Sequence, residues 1–279
     1  VHNAYRKGKH GQGTFNKVLN ALQMLQKNGV DVNVLATVNQ KSANHPLEIY
    51  RFFREADVRF IQFVPIVERN ADLEARQLGI SMAVPPSGTH VEPSTVMAPW
   101  SVKPNQYGEF LIRIYDEWIT HDVGEIFVMN FEWTLGAWAG ARPGMCQISQ
   151  RCGQTLIMEH NGDIYSCDHF MYPAFRLGNI LEGRLVEIVR APKQIAFGVA
   201  KEADLPSKCR CCDVLFACRG GCPKHRFAST PDGESGLNYL CPGFKNFFHH
   251  AQPSMEKMLA LIVKGKPVNK VSLCRFKAI

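Results

Sequence analysis

The first 145 residues contain no cysteine, although the 279-residue chain has ten. Nine of them fall between Cys146 and Cys241, so whatever chemistry the thiols carry belongs to the second half. No run of about eighteen apolar residues occurs, and no membrane span is expected. The opening V-H-N-A-Y-R-K-G-K-H has no apolar h-region and is not read as a signal peptide. It also lacks an initiator methionine, from which a chain cut from something longer is expected. Despite a net charge of +7, no Lys/Arg block interleaved with aromatics is present. A solvated basic surface is therefore expected, and no nucleic-acid partner. Cysteines without a secretory signal point to thiolates and metal before disulfides, and to a reducing cytoplasm.

What is present describes an ordinary globular protein: 46% apolar and 20% charged residues, long enough for two units. Residues 14–29 have the apolar spacing of a helix (Phe15, Val18, Leu19, Leu22, Leu25), with Thr14 as N-cap and Gly29 as stop. V-D-V-N-V-L-A-T-V (30–38) reads as a buried parallel strand. A helix over 46–56, opened by Pro46, and a strand over 58–67 follow. This alternation is a βαβ pattern, hence a parallel sheet or barrel with ligands at the strand C-terminal ends. Residues 69–103, with Pro85, Pro86, Pro93 and Pro99, are expected to be irregular, and loops of that length are usually functional or mobile. A helix over 105–121, a strand over 125–131 and a helix over 132–140 complete the first unit.

The second unit differs in kind. Asn161-Gly162 between alternating apolar residues predicts a β-hairpin that delivers Cys167 and Asp168. Helices are expected over 183–200 and 243–263. The cysteines run C-x2-C-x5-C-x3-C-x18-C from Cys209 through Cys212, Cys218 and Cys222 to Cys241, preceded by Cys146, Cys152 and Cys167. Thiolates bind soft or borderline metals about four at a time. Eight well-spaced cysteines suffice for two sites, and their unequal spacing suits interleaved iron–sulfur clusters better than zinc knuckles or disulfides. Cys211 breaks the pattern and reads as a spare; Cys274 is isolated.

The order Cys152, Gly162, Cys167, Cys209, Cys212, Cys218, Cys222, Cys241 resembles the SPASM domain of radical S-adenosylmethionine (SAM) enzymes. H-N-A-Y-R, N-V-L-A-T-V-N, F-I-Q-F-V-P-I-V-E, Y-S-C-D-H-F, F-R-L-G-N-I and L-N-Y-L-C are similar to anaerobic sulfatase-maturating enzymes, to about residue 260. The resemblance implies an α/β fold: the C-terminal part of a partial (β/α)6 radical SAM barrel over 1–144, a cysteine-rich SPASM domain with a β-hairpin and helices over 145–265, and a basic tail over 266–279. It implies oxidation of an active-site Cys or Ser of a sulfatase to Cα-formylglycine without oxygen, begun by a 5′-deoxyadenosyl radical that takes hydrogen from the substrate Cβ. The implied cofactors are SAM and two auxiliary 4Fe–4S clusters. Cys146, Cys152, Cys167 and Cys222 would hold the first cluster; Cys209, Cys212, Cys218 and Cys241 would hold the second. The implied partners are a sulfatase polypeptide and an electron donor such as flavodoxin or ferredoxin.

By the same resemblance Asp168 is the general base that deprotonates the substrate thiol or hydroxyl. Arg6 pairs with the methionyl carboxylate of SAM, and Val67 packs against SAM. Read alone, Asp168 is a hairpin-end cap, Arg6 a surface cation and Val67 barrel core. His2, His169 and Tyr172 lie near motifs without an assigned role. The C-x3-C-x2-C motif that binds the SAM-cleaving cluster in the family is absent from these residues, so the chain is expected to be a C-terminal portion that does not cleave SAM by itself. The rival readings are another SPASM peptide-modifying enzyme, such as a thioether-forming one, a non-catalytic zinc protein, or a nonfunctional relic.

Overall fold

The computed structural model describes residues 1–86 and 96–268. Pro93, Cys274 and the basic tail beyond Val268 lie outside the described residues. Helix α1 (His2–Tyr5) leads through a short turn into α2 (Phe15–Lys27). Thr14 is the N-cap of α2 as expected, but its side chain makes no capping bond. Thr14 Oγ1 donates to the Arg6 carbonyl (3.0 Å), and Asn3 Oδ1 instead accepts the first helical N–H, that of Phe15 (2.9 Å). Parallel strands β1 (Asn33–Val38), β2 (Phe60–Pro65) and β3 (Phe127–Val128) form one sheet in that order, with α3 (Pro46–Glu55) as the crossover between the first two. The parallel pairing agrees with the alternating pattern, but β1 is not buried on both faces. It lies at the edge of the described sheet, with Leu35 61% exposed.

Central β2 buries Ile61, Phe63 and Pro65 on one face, the period-2 alternation of a half-buried strand. The strand expected over 125–131 shrinks to two residues, because the chain turns into helix α6 (Met129–Trp138) at once. The side-chain amide of Asn130 takes over from the missing strand. It accepts from Phe63 N (2.8 Å) and donates to Phe63 O (3.0 Å), so both backbone groups of a buried position stay satisfied. Within the expected irregular stretch after β2, a short helix α4 (Leu73–Gln77) forms, capped by Asp72 Oδ1 on Ala75 N at 2.8 Å. Bridges Arg69–Met97 and Asn70–Met82 pin the rest.

Helix α5 (Pro104–His121) supplies Tyr107, Phe110, Leu111, Ile114, Tyr115 and Trp118 to the core. The long C-terminal helix α11 (Cys241–Val263) answers with Phe244, Phe247, Phe248, Ala251, Met255 and Met258. At about 1.5–3 kcal/mol per large apolar side chain withdrawn from water, this interface is a main source of cohesion. The helices meet where both lack a side chain: a Cβ on Gly108 would stand 2.6 Å from the Gly243 carbonyl, and one on Gly243 would strike the Pro104 carbonyl. That contact fixes the height of Cys241, two residues before Gly243. Residues on both sides of position 144 thus share one core.

The cysteine-rich half is built from small pieces. The Asn161-Gly162 turn joins β4 (Ile157–Met158) to β5 (Asp163–Tyr165) as expected, with Gly162 at φ +87°. A third antiparallel strand, β6 (Arg176–Asn179), adds to them, and a hairpin of β7 (Ala228–Ser229) and β8 (Ser235–Leu237) follows later; neither was expected. The helix expected over 183–200 is two: α7 (Leu185–Val189) and α8 (Pro192–Ala203). Pro192 cannot donate to the preceding turn and holds Ala191 in an extended conformation, which splits them. Short helices α9 (Ser207–Arg210) and α10 (Leu215–Cys218) carry cysteines toward the N-terminus of α11.

Candidate metal centre

None of the nine described cysteines is in a disulfide. Several of the eight expected ligands lie near one another. Cys152 interacts with Cys146, Cys167 with Cys222, and Cys222 with both Cys146 and Cys152. Separately, Cys209 interacts with Cys212 and Cys241, and Cys218 with all three of these. Cys211 is exposed. Among the described residues, no group of three or more His, Cys, Asp or Glu is placed to hold one metal ion. Four ligands of one zinc ion converge to about 2.3 Å from a point, whereas an iron–sulfur cage distributes its thiolates over several irons.

The local structure of each set follows from sequence. Cys146 begins a 3-10 turn (Cys146–Ile148), and Cys167 follows β5. Arg219 (φ 49°), Gly220 (φ +70°) and Gly221 (φ +62°) are three consecutive left-handed residues that swing Cys222 away from Cys218. A Cβ on Gly221 would strike the Asn238 amide, and one on Gly220 would stand 2.7 Å from the Arg226 guanidinium. The three-residue gap therefore turns Cys222 away from Cys218.

Burial is the largest effect on the thiols and pushes them up, Cys209 and Cys222 to about 11 and Cys218 to about 12. Neighbouring thiols reinforce this. Such groups give up their protons together only when positive charge arrives, as metal binding supplies. Two cations already face them from the protein side. Lys201 is 1% exposed, with Nζ donating to the carbonyls of Cys146 and of Gln147 (2.9 Å for the latter). Arg226 is 5% exposed and spends its guanidinium on the carbonyls of Gly220 (3.0 Å), Lys201 (2.6 Å) and Arg219 (3.1 Å). Among the described residues, two buried side-chain polar atoms lack a hydrogen-bond partner, Nδ1 of His225 and Oε1 of Gln194. Burial, with Lys224 and His169 nearby, lowers His225 to about 3, so its ring is neutral. His169 Nδ1 stands 3.4 Å from Cys222 Sγ. The donor set, the orphaned ring nitrogen and the buried cations all fit an anionic, sulfur-rich group.

Asp168 opens the 3-10 turn after Cys167 and is solvent-exposed. The Cys167 thiol donates to its Oδ1 at 3.0 Å. Desolvation alone would raise this carboxyl, but the Cys167 bond, His169 and local backbone N–H groups outweigh it and hold Asp168 below the usual carboxylate range. It is ionised, as a base must be. His169 and Tyr172 on the same turn feel Glu68, just past β2, so Asp168 lies on the side of the cysteine-rich half that faces the C-terminal end of β2. The other two expected contacts are elsewhere. Arg6 is exposed at the end of α1, and Val67 is 2% exposed within the main core. Lys201, Arg226 and His225 were not singled out from sequence; a lone Lys and Arg show no periodicity that marks them as buried.

The SPASM family model, an iron–sulfur cluster-binding domain, matches residues 146–213. A serine-type anaerobic sulfatase-maturating enzyme of Bacteroides thetaiotaomicron is 45% identical over 257 residues, 92% of this chain and 60% of that protein. A serine-type relative from Klebsiella pneumoniae is 31% identical (88% of this chain, 54% of that protein). A cysteine-type relative from Clostridium perfringens strain 13 is 27% identical (91% and 63%). Native anSMEcpe with bound AdoMet and Kp18Cys peptide superposes with a TM-score of 0.75 at 26% identity, covering 93% of this chain and 66% of that one. The chain spans about 60% of the first of these relatives and 54% of the second. Over the residues it shares with them, the chain is similar to the anaerobic sulfatase-maturating enzymes, and its residues 146–213 match the SPASM iron–sulfur cluster-binding domain.

Proposed function

We propose that the chain supplies the auxiliary iron–sulfur portion and the general base of a radical SAM oxidoreductase that converts an active-site residue of a sulfatase to Cα-formylglycine without oxygen. Residues 1–144 form the barrel portion and 145–265 the cluster-binding portion. The observation that carries the reading is the placement of ionised, exposed Asp168 directly beside Cys167 of the first thiol set. Cys146, Cys152, Cys167 and Cys222 hold one 4Fe–4S cluster; Cys209, Cys212, Cys218 and Cys241 hold the other. When bound, SAM and the clusters supply the radical that removes hydrogen and the acceptor for the remaining electron.

Oxidising a serine side chain to an aldehyde removes a hydrogen atom from Cβ, a proton from the hydroxyl and one further electron; the same losses from a cysteine give a thioaldehyde, which water hydrolyses to the aldehyde with release of hydrogen sulfide. Asp168 takes the proton. The Cys167 thiol donates to its Oδ1; a thiolate at Cys167, as a ligand must be, would remove that donor and leave the oxygen for substrate. Arg6, exposed on α1, pairs with the SAM carboxylate, and Val67 backs SAM from the end of β2. Cys146 is exposed, so the first set reaches the surface where an electron donor such as flavodoxin or ferredoxin docks. The 45%-identical relative is serine-type, which favours a serine-bearing target.

The test is a chimera in which this chain replaces the matching residues of the Bacteroides relative, reconstituted anaerobically and given SAM, reductant and a serine-bearing sulfatase peptide. Aldehyde formation read by mass spectrometry is the expected result. An iron-loaded chimera that cleaves SAM and leaves the peptide unchanged would contradict the assignment.

A further inference from the structure

Lys201 and Arg226 are among the most buried charges in the molecule, at 1% and 5% exposure. Isolated buried cations are expelled or neutralised unless an anion faces them. Lys201 Nζ sits on the carbonyls of Cys146 and Gln147, beside the first set; burial lowers its hold on its proton, and the Cys152, Cys222 and Cys146 thiols nearby oppose that. Arg226 binds the carbonyls of Gly220 and Arg219, in the link between Cys218 and Cys222, with Cys152 and Cys222 of the first set and Cys209 and Cys218 of the second nearby. Arg226 is locked there by three backbone carbonyls, and Gly220 leaves the room its guanidinium needs. Both cations are themselves nearly out of solvent and line one cavity of about 340 Å³ whose other walls include Phe170, Phe197 and Pro223.

We propose that Lys201 and Arg226 are positioning residues that set the reduction potentials of the two clusters: Lys201 acts on the first alone, and Arg226 lies between the sets and acts on both. The proposal rests on the iron–sulfur reading above. A thiolate-ligated cluster is anionic, and its reduction adds one electron and therefore one more negative charge. A fixed cation a short way off favours the reduced form and raises the potential. The asymmetry of the neighbours makes the effect selective, which a general loosening of the fold would not be.

The test is a redox titration of the anaerobically reconstituted 279-residue chain followed by electron paramagnetic resonance, with iron and acid-labile sulfide measured on every sample. Signals are assigned with Cys212→Ser, which disables the second set. Lys201→Met is expected to lower the reduction constant of the first cluster at least tenfold, about 59 mV to the negative for one electron, and to leave the second in place. Arg226→Met is expected to lower both, and Lys201→Arg to hold the wild-type values. Fully loaded Lys201→Met with unmoved potentials, or with both shifted alike, overturns the proposal. If Lys201→Met fails to load, loss of iron from Lys201→Gln but not from Lys201→Arg supports a charge role, and loss from all three overturns it. A wild-type chain that binds no iron removes the iron–sulfur reading itself, a result distinct from loaded clusters with unmoved potentials.

Discussion

Lys224 Nζ donates to Glu68 Oε1 at 2.6 Å, which ties the segment just after Cys222 to the end of β2. The two side chains are only 20% and 27% exposed, and Arg69 stacks over the Phe227 ring 5.0 Å away to reinforce the same seam. A double-mutant cycle with Lys224→Met and Glu68→Gln, read by urea unfolding, is expected to give a coupling of about 1–2 kcal/mol, between surface and fully buried pairs. No measurable coupling would show that the seam is held by other contacts.

Gly243→Ala drives a methyl group into the Pro104 carbonyl and must push α11 away from α5. Overpacking of this kind costs about 1–3 kcal/mol. Since Cys241 sits at the first turn of α11, the same change is expected to lower iron in the second set while sparing the first. Equal loss from both sets, or none, would contradict that link.

Asp168→Asn keeps shape and hydrogen-bonding capacity but removes the base. In the chimera with the Bacteroides relative it is expected to retain iron and SAM cleavage while aldehyde yield falls by about 10²–10⁴-fold. Aldehyde formation at the parental rate would exclude Asp168 from that role.

His250 pairs with Asp116 at 2.6 Å across the α5–α11 interface, and its affinity for a proton is raised chiefly by that bond. The folded state therefore binds the proton more tightly than the unfolded chain. The stabilisation is fully present below the unfolded histidine value of about 6.5 and is lost as pH rises through the higher folded value. Thermal unfolding followed from pH 6 upward is expected to show this loss, and Asp116→Asn should flatten it. An Asp116→Asn profile parallel to the parent would assign the pH dependence elsewhere.

The elements with strong local signals were legible from sequence. Pro46 opens its helix where it stands, Asn161-Gly162 makes its turn, and the β1–β2 parallel pairing follows from the alternation of helix and strand. The assignment of eight cysteines to two sets comes through the family resemblance, and Cys209, Cys218 and Cys222 each have other thiols among their neighbours. Signals that depend on tertiary partners were silent. Asn130 substitutes for a strand only because Phe63 is beside it. Strands β6 to β8 have four, two and three residues, too short for any period to emerge. Lys201 sits in an ordinary amphipathic helix, and only packing reveals that its ammonium is sealed in with Cys146 and Gln147.

Metal content decides the central claim most directly. The 279-residue chain, prepared anaerobically with iron and sulfide, is to be analysed for iron, acid-labile sulfide and zinc alongside Cys152→Ala and Cys212→Ala. The account predicts a brown protein with iron and sulfide in equal amounts, reduced by about half in each variant as one set or the other is disabled. Stoichiometric zinc with negligible iron in the parent chain would contradict it.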